Sequence, residues 1–246
     1  MADNTIRRSD RIKVWDPGVR IFHWSLVASI LIAFLSSEED SMIANWHLAS
    51  GWIAAILIVF RLAWGFVGGE HARFANFVKP REIGRHIRHL LSGSAEPSVG
   101  HNALGAVAVL ALLALTVFVG WTGIRLQTGG VEEDIHEVAA YSLLGLIALH
   151  VAAVIAMSIM TRDNLVLAMI TGKKSAARHP GAKAAINPGF IGIVFTFLIL
   201  CATVFAVLRF DPQAFSIQGR EMGEANEQRS STEPMREHSD NDRDND

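Results

Sequence analysis

The apolar residues of this chain are gathered into long blocks separated by charged stretches. Five blocks stand out: Val19–Leu35, Trp46–Val67, Ala103–Trp121, Ile135–Met160 and Phe190–Leu208. Hydrocarbon cannot hydrogen-bond an exposed backbone, so a segment crossing it must be a helix of about 20 mostly apolar residues. Each block comes close to that requirement or meets it. Asp16-Pro17 before the first and Asn187-Pro188 before the fifth read as an N-cap followed by proline at the first helical position. The pattern predicts an all-α, integral-membrane helical bundle with five spans.

Composition agrees. Half of the 246 residues are hydrophobic and the mean hydropathy is +0.30. The first block has a basic flank like that of a signal peptide, but no small-x-small site closes its apolar run, so it reads as a span. The single cysteine, Cys201, allows no disulfide within the chain, and no C-x-x-C-H is present for covalent haem attachment. The formal charge of −2 says little until it is read loop by loop.

Arg7, Arg8, Arg11, Lys13 and Arg20 lie before or just inside the first block. Arg73, Lys79, Arg81, Arg85 and Arg88 follow the second, and Arg162, Lys173, Lys174, Arg178 and Lys183 follow the fourth. The intervening loops are acidic: Glu38, Glu39 and Asp40 in one, and Glu132, Glu133 and Asp134 against Arg125 in the other. Basic loops stay in the cytoplasm, which predicts a cytoplasmic N-terminus and a C-terminus on the far side. Trp15, Trp24 and Trp64 then fall at the inner interface and Trp46 and Trp121 at the outer one, as an aromatic belt; Trp52 falls between and is expected to pack inside. The acidic tail beyond Asp211 has few large apolar residues and is expected to be disordered.

Four histidines stand inside the blocks: His23, His47, His136 and His150. His136 and His150 are 14 residues apart, roughly four helical turns, so they leave one face about 21 Å apart along the axis. Alternating helix direction puts His47 with His136 near the outer face and His23 with His150 in the inner half. Polar groups at these depths are expensive and mark function. Two neutral imidazoles facing across a macrocycle would form a bis-histidine iron site, provided the helices stand apart to admit it. Hydrogen-bonding glue and a proton relay are the alternatives for any single histidine. A zinc or nickel transporter is disfavoured, because the two histidine pairs lie about 20 Å apart by the helical rise and no carboxylate sits mid-membrane to complete a tetrahedral site. Small residues near the ligands would help a porphyrin approach backbone: Gly51 four after His47, Gly145 five before His150, and Gly105 and Gly120 on the third block.

Arg61 is 14 residues after His47 and shares its face. Two readings stand for it: an anionic partner such as a haem propionate, or snorkelling to lipid phosphate. His101, at the inner start of the third block, is a candidate contact for a propionate or a quinone head. His71, His86, His89 and His179 read as solvated loop residues and His238 as part of the tail. Glu137, beside His136, is a candidate proton acceptor, although with Glu133 and Asp134 it also suits the positive end of a helix.

These residues resemble a known family. Val14-Trp15-Asp16, Arg20, Phe22-His23-Trp24, His47 with Gly51, Phe60-Arg61, Trp64-Gly65-Phe66-Val67-Gly68, Ala72-Arg73-Phe74, Gly100-His101-Asn102, His136-Glu137, His150 and Asn164-Leu165-Val166 leading to Met169-Ile170-Thr171-Gly172 are similar to the bacterial cytochrome b561 and nickel–iron hydrogenase b-type cytochrome family. The resemblance runs from about Lys13 to Lys174. It implies a four-helix core (17–174) binding two haem b groups, with iron held by His23, His47, His136 and His150. To the core are added a cytoplasmic segment (1–16), a basic loop (175–187), a fifth transmembrane helix (188–209) and a disordered acidic periplasmic tail (210–246). It also implies an electron-transfer protein of the bacterial inner membrane, working in a respiratory chain between quinone and a redox protein partner: a c-type cytochrome, a dehydrogenase or a hydrogenase. Membrane lipid is the surrounding partner, and no nucleic-acid binding is expected. A stand-alone quinone-reducing oxidoreductase and, more distantly, a haem or metal transporter or sensor are the rival functions.

Overall fold

The computed structural model describes residues 11–38, 43, 46–77, 100, 103–179 and 181–216. In chain order it contains β1 (Arg11–Lys13), α1 (Pro17–Leu35), α2 (Trp46–Val67), α3 (Phe74–Phe77), α4 (Ala103–Gln127), α5 (Glu133–Thr161), α6 (Leu165–Thr171), β2 (Lys173–Ser175), a 3₁₀ turn (Ala176–Arg178) and α7 (Phe190–Phe210). Five of these helices, α1, α2, α4, α5 and α7, are long and apolar enough to cross a membrane. Their hydroxyls are satisfied internally: Thr116, Ser142, Ser158 and Thr196 each donate to the carbonyl four residues back.

One end of the bundle is closed by a small antiparallel ribbon in which Arg11 pairs with Ser175 and Lys13 with Lys173. The amides of Val14 and Trp15 both donate to the Gly172 carbonyl, at 2.8 and 3.1 Å. This is called the ribbon end below. Helices α1, α4 and α7 begin there, and α2 and α5 finish there.

Helix α2 is the hub. It packs along α1, α4 and α7, and 39% of its apolar stretch is buried within the protein, against 17% or less in the other four spans. Asp16 joins it to α1. The Oδ1 atom of Asp16 accepts the Val19 amide, capping α1 as the Asp16-Pro17 pair predicts, and also accepts the Trp64 indole N–H, each at 3.0 Å. Gly18 lets the two helices meet, because a Cβ there would fall 2.8 Å from the Trp64 ring. Around this pin Val14, Trp15, Val19, Trp64, Ala72 and Ala168 form an apolar cluster. Trp15 and Trp64 are therefore core residues at the ribbon end and not part of a lipid-facing belt. Trp24, Trp46 and Trp121 are exposed, as a belt requires.

The fifth span is clamped to α2 at both ends. Gly192 abuts the Val67 carbonyl, where a Cβ would come within 2.8 Å. At the other end the buried Trp52 indole donates to Asp211 Oδ2 at 3.0 Å and packs with Val207 and Ala214. The helix starts at Phe190 with Gly189 as its cap, so Asn187-Pro188 is not its start. That segment is held against the ribbon instead: Asn187 accepts from the Lys13 ammonium, the Ala185 amide donates to the Lys13 carbonyl, and the Ile186 amide donates to Glu70.

Beyond α5 the chain buries a charged group. The Asp163 carboxylate lies 3.1 Å from His179 Nε2 and 3.5 Å from Lys174 Nζ, all three residues being buried. His179 is thus a partner of a buried carboxylate and not a solvated loop residue. His71, likewise, packs edge-on against Trp15 with ring centroids 6.2 Å apart. His86, His89 and His238 lie outside the described residues.

Burial holds the Lys174 ammonium below its ordinary value, and Asp163 opposes that shift. Asp163→Asn should therefore cost about 3 kcal/mol of stability, since it strands a buried cation. Below its ordinary value, near pH 10.5, the unfolded lysine binds a proton more readily than the folded one. The deficit should then shrink as pH rises toward that value. Thermal unfolding in detergent from pH 7 to 10 measures both effects; a deficit that stays constant over this range would contradict the assignment.

Candidate functional site

Helix α5 packs along α4, and neither α1 nor α2 packs closely along it. A slot is left between α5 and the α1–α2 pair. Its walls carry the four intramembrane histidines: His23 on α1, His47 on α2, and His136 and His150 on α5. By helix direction His47 and His136 lie toward the end remote from the ribbon, and His23 and His150 lie nearer the ribbon.

The remote pair is in place. The His47 and His136 rings stand 6.2 Å apart, centroid to centroid, and nearly perpendicular at 86°. Metal–imidazole bonds run about 2 Å, so this spacing accommodates one ion between two ring nitrogens. The hydrogen bonds select which nitrogens face each other. His47 Nδ1 is 2.7 Å from the Ala33 carbonyl, which can only accept, so Nδ1 carries the proton and Nε2 is left as a lone-pair donor. His136 Nδ1 is 2.9 Å from the Thr122 hydroxyl. That hydroxyl gives its one proton to the Val119 carbonyl at 2.9 Å, so it accepts from His136, and Nε2 is free there too. A ligand imidazole tied off at its other nitrogen by a carbonyl or hydroxyl is the usual support of a metal-bound histidine.

Thr122 and Gly123 are site residues that spacing alone did not reveal. Thr122 is fully buried. Gly123 gives the His136 ring its berth, since a Cβ there would lie 3.2 Å from the ring's Cε1. The only sequence signal was a polar and a small residue late in an apolar run. Gly51, one turn from His47 on the same face, has nothing within 4 Å of where its Cβ would be. The glycine thus borders open space beside His47, as a macrocycle would need. Gly145 also borders open space, but five residues place it about 140° around α5 from His150, so it does not line that ligand's side of the slot.

The pair nearer the ribbon is less tied down. His23 and His150 lie within electrostatic reach of each other. His23 stacks edge-on against Trp24 at 5.0 Å, and its buried Nδ1 has no partner. Arg61 is 3% exposed, so it does not snorkel to lipid. Its guanidinium lies over the Phe74 ring, 4.7 Å from the centroid, and its Nη1 is buried without a partner. His101 lies outside the described residues. Glu137 is exposed, and Glu133 and Asp134 occupy the first turn of α5. Among the described residues no three His, Cys, Asp or Glu side chains come together, so a bare tetrahedral metal ion has no site there. Paired imidazoles across an open slot fit a planar iron macrocycle, which supplies its own equatorial ligands.

A bundle that presents such pairs within the membrane is an integral-membrane b-type cytochrome. The chain belongs to the prokaryotic cytochrome b561 family, whose model matches residues 14–172. It is 24% identical over 216 residues to a probable Ni/Fe-hydrogenase B-type cytochrome subunit of Azotobacter vinelandii, covering 68% of this chain and 90% of that protein. The corresponding protein of Rhodobacter capsulatus is 24% identical over 221 residues, covering 70% and 84%. The Ni/Fe-hydrogenase 1 B-type cytochrome subunit of Escherichia coli K12 is 23% identical over 212 residues, covering 66% and 90%. No solved structure matches the chain. The protein is therefore a multi-pass membrane cytochrome that binds haem b and transfers electrons.

Gly51→Leu should fill the space beside His47 and eliminate one haem component from the reduced-minus-oxidised spectrum, with the helical circular dichroism unchanged. Gly145→Leu should leave the haem spectrum intact. Equal haem loss in the two variants would show that the open side of the slot has been misplaced.

Proposed function

We propose that this cytochrome carries two b haems, one held by His23 and His150 and the other by His47 and His136, and passes electrons across the bilayer between quinone and a redox protein. The observation that supports this most strongly is the slot walled by two imidazole pairs at two depths, with both rings of one pair tied off at Nδ1. Haem iron supplies reversible one-electron chemistry while its ligands stay bound. The chain supplies position and electrostatics. Ala33 and Thr122 fix the tautomer and orientation of His47 and His136. Gly51 leaves space beside His47, and Gly123 seats the His136 ring. Arg61 offers a buried positive charge to the group nearer the ribbon.

The basic loops support an orientation with the ribbon end in the cytoplasm of a bacterial cell, the N-terminus inside, the C-terminus in the periplasm and the His47–His136 pair near the periplasmic face. His101, expected at the inner interface, would then serve as a contact for quinone. Relatives named as hydrogenase subunits favour a hydrogenase as the redox partner, and this reading predicts that one co-purifies in gentle detergent.

Pyridine haemochrome analysis against protein mass should give two haems per chain, and a ratio near one would overturn the proposal. Ala at His23 or His150 should remove one spectral component, and Ala at His47 or His136 the other, with the two losses in a pair not additive. If His23→Ala and His47→Ala removed the same component, the pairing would fail. A periplasm-active reporter fused after Asp246 should be active; activity of a cytoplasm-only reporter there would reverse the orientation.

A further inference from the structure

Buried polar side-chain atoms without a partner are rare, and each asks for an explanation. Among the described residues there are four: Arg20 Nε, His23 Nδ1, Arg61 Nη1 and Arg73 Nε. They are not scattered. Arg20 stands three residues before His23 on α1, about 60° away on the same flank. Arg61 lies in the last two turns of α2, and Phe74, whose ring its guanidinium covers, is the neighbour of Arg73. All four belong to the ribbon-end half of the bundle, where His23 enters the slot. None of the four orphans belongs to the remote His47–His136 pair.

The local charges do not cancel. Asp16 is the carboxylate within electrostatic reach of Arg61. Its Oδ1 accepts the Val19 and Trp64 N–H groups, and the Gly69 backbone passes close to its Oδ2, where a Cβ would fall 2.6 Å away. Glu70 is engaged with the Ile186 amide, and Asp163 with Lys174 and His179. Arg20 uses Nη2 on the Ile170 carbonyl, which satisfies a donor without neutralising a charge. Among the described residues, Asp16 is the carboxylate within reach of the Arg61 guanidinium, and its Oδ1 already accepts two N–H groups. Arg61 is buried and Arg20 and Arg73 are half-buried, each with an unpartnered N–H, and the planar fork of a guanidinium in that state suits an added carboxylate.

We propose that Arg20, Arg61 and Arg73 form a carboxylate clamp for both propionates of the haem held by His23, orienting its acidic edge toward the ribbon end and stabilising its reduced form. This rests on the two-haem reading and extends it from Arg61 alone to three arginines on three segments of the chain. Asp16 offsets charge at Arg61 alone, so the three guanidiniums together keep a positive balance that two propionates would meet. A cation beside a haem favours the reduced state, since reduction removes a positive charge from the iron. The remote haem has no such clamp, so the two potentials should be separated in a fixed direction, with the ribbon-end haem raised by its arginines.

The test uses the full-length protein in detergent, with the ribbon-end component first identified as the one lost in His23→Ala. Redox titration of Arg20→Gln, Arg61→Gln and Arg73→Gln should lower the midpoint of that component, each by at least a tenfold change in its reduction equilibrium, about 59 mV for one electron. The remote component should not move. Arg61→Lys, which keeps the charge, should recover most of the shift, and it serves as the folded reference if a glutamine variant assembles poorly. In a second arm the apoprotein is loaded with haem or with haem dimethyl ester, whose propionates are blocked. The unmutated ribbon-end site should take haem at least tenfold better than the ester, and the Gln variants should not discriminate. Unchanged midpoints together with equal loading of haem and ester would overturn the clamp while leaving both haems in place. If the Gln variants instead lost a tightly bound anionic phospholipid, detected by native mass spectrometry, with both midpoints held, the arginines would be serving lipid phosphate and the proposal would be wrong. A protein with one haem, or with no component lost in His23→Ala, would remove the two-haem reading and the clamp with it.

Discussion

Every polar group inside the hydrocarbon must find its partner within the protein, and most of this structure follows from that requirement. Backbone groups meet it by forming helices. The hydroxyls of Thr116, Ser142, Ser158 and Thr196 meet it by bonding back to the preceding turn. Asp16 meets it by accepting two N–H groups at once, one from its own helix and one from the next, so a helix cap becomes an interhelical pin. Trp52 and Asp211 do the same at the other end for α7. Among the described residues, the atoms that fail to meet it lie on Arg20, His23, Arg61 and Arg73, in the ribbon-end half of the bundle.

The slot itself is a consequence of unequal packing. Helix α2 takes α1, α4 and α7 as close neighbours through small residues such as Gly18, Ala49, Ala54 and Ala63, and through Gly192 of α7. Helix α5 has α4 as its close neighbour, and its other side is left for the histidine-bearing faces of α1 and α2. Two residues of α4, Thr122 and Gly123, reach across to orient and seat His136. A span that carries none of the four histidines is therefore still part of the candidate site. The fifth span lies against α2 on the side served by Trp52 and Val67, away from the histidines, so its role in the fold is to cover the hub.

The sequence carried the spans, their alternation and the four histidines, because the cost of polar groups in lipid writes these features into composition and spacing. It missed the true start of α7, where Asn187 is drawn to Lys13 and the helix waits for Gly189. It also missed the ribbon and the buried Asp163 group. Those contacts join residues far apart in the chain, such as Lys13 with Lys173 and Asp163 with His179, and no local pattern records them. The assignment of Trp15 and Trp64 to the lipid interface failed for a related reason. Aromatic residues near a span end suit either a lipid headgroup or a core, and only the position of Asp16 and Gly18 decides between the two.

What the sequence determined by itself was the class of solution: five helices, forced by the need to satisfy backbone in hydrocarbon, with imidazoles at two depths on one helix set by a 14-residue step. What only the tertiary structure decided was which nitrogen of His47 and of His136 is free, which glycine borders the slot, and that Arg61 is buried among aromatic and charged neighbours and not extended to lipid. Each of these depends on the rotation of one helix against another. That rotation is set by packing and long-range hydrogen bonds, and so it cannot be read from the period of any one segment.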